Sequence, residues 1–299
     1  MTPAGRGRCG AAAGLLLWLA FAGTAAAQEH EEWRVTYAVR VSDSDGRPSS
    51  IRVALPRDDA YQQMDQLEIN ARGLTADVVR GDHPEVVFTG PIEKGKRVSV
   101  SYRVQLYRFA RTPGPVRPPE DPPLSVLDAL SPAPLFPSRS ILVREFLETQ
   151  VAPAVRRGEE LLPTIFAATR KQIGRERDGA SLALDVLRSG EGKRIGIERC
   201  FTTLLRCAHF PARFVEGAKL DSTTKRKRVF WTEVWSSGEW WPTSASGGWS
   251  GRRPPSYLAV TRDGRRVVKL EGEGAVSYVV QTEPLHLPPS TKTRRKHDR

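Results

Sequence analysis

The chain has 299 residues, of which 39% are hydrophobic and 27% charged, and its length fits two compact domains. Lys and Arg exceed Asp and Glu by 46 to 34. No recognition helix or aromatic-basic interleaving accompanies that charge, so the sequence argues against a nucleic-acid partner, and no Cys or His spacing suits a metal.

Residues 1–27 read as a signal peptide. Arg6 and Arg8 precede the apolar run "AAAGLLLWLAFAGTAAA", and Ala25 and Ala27 fit a small-residue cleavage site. The run is at the lower limit for crossing a bilayer, and no other stretch is apolar enough to do so. The mature protein is therefore expected to be secreted or periplasmic and not to span a membrane.

Residues 28–112 read as an antiparallel β-sandwich. "WRVTYAVRV" alternates apolar and polar residues, "SDSDGRPSS" is a turn cluster, and "IRVALP", "LTADVV", "EVVFTG" and "RVSVSYRVQLYRF" follow at short spacings. Residues 113–138 are dense in proline and read as a stiff, largely extended linker packed on its neighbours.

Residues 139–284 read as an α+β domain. "ILVREFLETQVAPAVRR", "EELLPTIFAATRKQI", "GASLALDVLRSGEG" and "IERCFTTLLRCA" have helical spacing. Strands resume in "ARFVEGAKL", "RVFWTEVWSS", "EWWPTSA", "YLAVT", "RRVVKL" and "AVSYVVQT". Residues 285–299 read as a basic disordered tail. Cys200 and Cys207 lie seven apart on one predicted helix, about 10 Å at its rise per residue, too far to bridge. The run "KRKR" at 225–228 reads as the solvated end of a loop.

Three motifs in this second half occur in a telling order: "LLRCAHFPARFVEG", "FWTEVW" and "GEWWPTSASGGW". Together they resemble the transglutaminase-like superfamily, whose core is a papain-like cysteine-protease fold and whose members often carry a preceding β-sandwich. The resemblance implies a thiol at a helix N-terminus, an imidazole and a carboxylate. Counting from Pro211 places Arg194 at the thiol position. Counting from Glu233 places Val229 at the imidazole position, and Ser244 follows at the carboxylate position. All three are substituted, so the resemblance implies no catalytic residue and no cofactor.

"GIERCFTTLLRCAHFPARFVEG", "SGGWSGRRPPSYLAV" and "LEGEGAVSYVV" are more narrowly similar to inactive transglutaminase families that are otherwise fused to seven transmembrane helices. That kinship implies a pseudoenzyme acting as a peptide-, cell-envelope- or protein-binding module, with a separately encoded membrane protein as one conceivable partner. Two alternatives stay open. One is a cysteine-dependent amidase or transamidase rebuilt around Cys200; the other is a basic structural protein of the envelope.

Cys200 lies six residues past Arg194, about 9 Å along a helix and away from its terminal dipole. It is expected to be buried and inert, facing the second sheet. Arg194 at a helix start either reflects drift at a small cost or holds an anion with the free amides there. In the second case Lys193 and Ser244 would join it, with Trp231 or Trp240 as a wall. Trp231, Trp235, Trp240 and Trp241 fit sheet packing as well as they fit a peptide groove.

Overall fold

A computed structural model describes residues 30–107, 116–221 and 227–286. The expected signal peptide lies outside the described residues, as do all but two residues of the basic tail and the first two of the "KRKR" run; its last two, Lys227 and Arg228, open a strand rather than end a loop.

Strict alternation builds the first domain. The strands are β1 (His30–Asp43), β2 (Asp45–Ala54), β3 (Gln62–Asn70), β4 (Thr75–Val79), β5 (Glu85–Glu93) and β6 (Arg97–Tyr107). In β1, Trp33, Val35, Tyr37, Val39 and Val41 all point inward and are buried. Val98, Val100, Tyr102, Val104 and Leu106 of β6 meet them in the same core.

The second domain begins with the proline-rich segment. Its proline-free part Leu124–Leu130 winds into a 3-10 helix, which corrects the expectation of an extended linker. Without a ring at any position, nothing there opposes winding. Phe136 is buried and packs on Phe214 at 6.0 Å. One long helix follows in three parts: α1 (Ile141–Phe146), a π-helical turn (Leu147–Val151) and α2 (Ala152–Arg156). The π-turn ends two residues before Pro153, whose ring would clash with the fourth preceding carbonyl in an unbroken α-helix.

Next come α3 (Leu161–Ile173), β7 (Arg175–Glu176), α4 (Ala183–Ser189), β8 (Glu191–Gly192) and α5 (Arg194–Cys207). β7 and β8 pair in parallel. The strands β9 (Ala212–Lys219), β10 (Lys227–Ser236), β11 (Glu239–Ser244), β12 (Trp249–Ser250) and β13 (Tyr257–Arg262) form one sheet in the order β12-β11-β10-β9-β13.

The last two strands return to the first domain. β14 (Val268–Glu271) pairs with β2, and β15 (Ala275–His286) pairs with β1 along its length. The two sandwich sheets thus run β15-β1-β6-β3 and β14-β2-β5-β4. This corrects the boundary expected at 284: "RRVVKL" and "AVSYVVQT" belong to the sandwich. It also corrects the start of the tail, because Leu285 and His286 complete β15. The reason is physical. β1 and β2 carry apolar inner faces whose outer edges need a hydrogen-bonded neighbour, and β15 offers the matching alternation of Val276, Tyr278 and Val280.

Candidate functional site

The centre of the second domain is α5. Lys193 caps it in extended conformation, and the side chain makes no capping hydrogen bond. Gly196 lets the first turn approach its neighbours: a Cβ there would stand 2.6 Å from the Ala180 carbonyl and 2.7 Å from a Val186 methyl. The other end closes in a Schellman motif. Phe210 N–H donates to the Leu205 carbonyl at 2.9 Å and His209 N–H to that of Arg206 at 3.2 Å. His209 takes the left-handed position at φ 62°. Arg206 is buried behind this turn, donating to the carbonyls of Ala212 and Ser131 and to Asp263 Oδ1, each within 2.9 Å.

Arg194 stands at the start of α5 as expected. Its Nε donates to Glu176 Oε2 at 2.7 Å, and both side chains are more than half exposed. Lys193 is exposed beside it. Ser244 ends β11 and is buried. Its Oγ donates to Glu198 Oε1 at 2.7 Å. Val229 is buried among Val215, Trp231 and Ala259. Alternation along β10 puts Val229 on the face opposite Thr232, which bonds α5 through Thr202.

Trp231 is fully buried, its ring lying where a Cβ on Gly217 would be 2.6 Å away. Trp240 covers Arg213, whose guanidinium carbon is 3.9 Å from the ring centroid, and meets Trp235 at 5.3 Å. The residues expected to share a groove are therefore divided among an exposed ion pair, a buried polar hub and an apolar sheet face. Cavities of 330, 440, 450 and 550 Å³ are lined by other residues.

The hub forms around Glu198, a residue to which sequence reasoning gave no role. Glu198 has no exposed surface. Its Oε1 accepts from Ser244 Oγ (2.7 Å), Ser246 Oγ (2.7 Å) and Ser246 N–H (2.8 Å). Its Oε2 lies 3.4 Å from Thr232 Oγ1, which is 2.8 Å from Thr202 Oγ1. Gly247 N–H donates to Ser244 Oγ at 2.9 Å. Burial raises the Glu198 carboxyl to about 7, and the hydroxyl and amide donors hold it from rising further. The signal was present: Glu198 lies three, four and seven residues before Phe201, Thr202 and Leu205, on a buried helix stripe.

Cys200 is 1% exposed, and burial pushes its thiol up to about 12. Cys200 and Cys207 are free.

A second charged cluster joins the domains. Glu233 Oε2 accepts from Arg213 Nε (2.6 Å) and Arg262 Nε (3.3 Å). Arg262 Nη2 also donates to Asp59 Oδ2 at 3.0 Å, and Arg253 Nη1 is 3.8 Å from the same oxygen. Burial opposes ionisation of Glu233, but Arg213, Arg262 and Arg253 overcome it and hold the carboxyl well below its usual range. Beside this cluster the Gln62 amide mimics a strand partner. It donates to the Ala259 carbonyl at 2.9 Å and accepts from Ala259 N–H at 2.8 Å.

Residues 151–245 match the model of the transglutaminase-like superfamily. Among solved structures, a protein of Cytophaga hutchinsonii provisionally assigned as a cysteine protease superposes with a TM-score of 0.64 at 14% identity, covering 88% of this chain and 93% of its own. The periplasmic domain of TgpA from Pseudomonas aeruginosa, solved with ethylmercury, matches at 17% identity over 75% of this chain and 91% of that one, with a TM-score of 0.34. A provisionally assigned protease of Parabacteroides distasonis matches at 12% identity over 71% and 47%, with a TM-score of 0.23. No curated protein sequence matches. The first of these shares the fold; the other two superpose too loosely to bear on it. The chain carries a transglutaminase-like superfamily core of papain-like fold, matched over residues 151–245, joined to an antiparallel β-sandwich.

Proposed function

We propose that this protein is a non-catalytic member of its superfamily that works in the secreted or periplasmic space by binding a peptide, a cell-envelope fragment or a partner protein. The observation that carries this reading is the state of the three triad positions. Arg194 is ion-paired with Glu176, Val229 is sheet core, and Ser244 is a buried donor to Glu198. A thiolate mechanism needs a low-pKa, accessible sulfur beside a base. Cys200 is buried, and burial disfavours its thiolate. Pro211, Arg213 and Glu233 keep the family's structural motifs around that site.

The test is turnover. Purified protein should release no ammonia from peptide glutamine, cleave no peptide amide and transfer no amine above the level of its own Cys200→Ser variant. Turnover that disappears in Cys200→Ser would establish the rebuilt enzyme instead.

A further inference from the structure

Where the chain crosses from β13 back to β14, it forms one wall of a 450 Å³ cavity whose other wall is the sandwich. The size suits a small-molecule ligand. Six basic side chains line it against three acidic ones. Arg52, Arg57 and Lys269 are answered by Glu85, Asp82 and Glu271, and Arg262 is held by Asp59 and Glu233. Arg265 and Arg266 have no ion-pair partner among the described residues.

The lining is not charged alone. Leu55 and Val260, both buried, supply an apolar surface beside the charges.

We propose that this cavity binds a small anion, a phosphate or carboxylate on a short apolar body, with Arg265 and Arg266 on the charged group. The site deepens the binding reading above and rests on it for its biological role. Its chemistry stands apart from the triad positions, none of which lines it.

His83, also in the lining, reports occupancy. Burial and the nearby Arg265 guanidinium hold its imidazole below the usual range. An anion between them would raise it.

The experiment titrates the full protein with hexyl phosphate and, separately, with hexanoate, by calorimetry and by the His83 ring-proton resonance. Saturable binding of either is expected, with the His83 pKa rising; the tighter probe identifies the charged group. The Arg265→Ala/Arg266→Ala double variant, both sites being exposed, should weaken binding by about tenfold or more. Absence of saturable binding by both probes would overturn the proposal. Equal affinity of the double variant with an unmoved His83 would overturn it too. Amide turnover in the earlier assay would remove the non-catalytic reading and leave this site standing. Envelope-fragment binding that survives the double variant would do the reverse.

Discussion

At Glu198 one carboxyl holds together the region where a catalytic assembly would be expected. With a proton on Oε2, Glu198 can donate to Thr232 Oγ1, which donates to Thr202 Oγ1, whose own hydroxyl donates to the Glu198 carbonyl. Oε1 meanwhile accepts its three donors, so every group has a partner. Raising the carboxyl from 4.5 to about 7 on folding means the folded state binds the proton more tightly. Its contribution, about 3 kcal/mol, is fully present below pH 4.5, declines as pH rises and is gone above about 7. Glu198→Gln should keep the shape and remove this contribution's pH dependence, read as the loss of the difference in urea midpoint between pH 5 and 7.5. Glu198→Ala should cost about 2–4 kcal/mol by leaving the hydroxyl donors of Ser244 and Ser246 without their shared acceptor. An unchanged pH profile in Glu198→Gln would show that Glu198 does not titrate in this range.

Among the elements, α5 shows what local pattern can and cannot reveal. Its existence and the burial of Cys200 follow from helical spacing, whereas its start at Arg194 follows only from the family resemblance, by counting back from Pro211. The left-handed turn at His209 leaves no mark in helical spacing. A non-glycine residue there carries strain of about 1–2 kcal/mol, of which glycine would recover part after its greater unfolded-state entropy. His209→Gly should therefore stabilise the protein by about 0.5–1 kcal/mol in denaturant melts.

β3 escaped the sequence reading altogether. In "QQMDQLEIN" a bulge falls between Asp65 and Glu68, with Gln66 at φ 49°, so Met64, Leu67 and Ile69 do not keep period two. The arrangement of the site was illegible for a different reason. Whether Val229 and Ser244 face one cavity depends on sheet face and on side-chain hydrogen bonds, which motif spacing does not encode.

At the scale of the whole molecule, the chain leaves the sandwich after β6, builds the core and then returns to complete both sandwich sheets. Alternation announced β14 and β15 as strands but could not say which sheet they would join, because pairing partners far apart in sequence are not written in periodicity. Removal of residues 264–299 should uncover the edges of β1 and β2 together. The truncated chain is expected to be aggregated or rapidly proteolysed at its N-terminal half, whereas a compact, protease-resistant product would show that the sandwich stands without its C-terminal strands. The domains are also bound by buried charge. Asp59→Ala would leave Arg262 and Arg253 short of their shared partner and should destabilise the protein by about 3–5 kcal/mol.

The reactivity of Cys200 in the native protein bears most directly on the central claim that the thiol chemistry of this superfamily is absent here. Native protein would be exposed to iodoacetamide across pH 6–9 and the modified cysteine located by peptide mass. Alkylation of Cys200 is predicted only as fast as the protein unfolds, with Cys207, which is half-buried, reacting first. Rapid alkylation of Cys200 in folded protein, with a thiolate titrating below pH 7, would contradict the account.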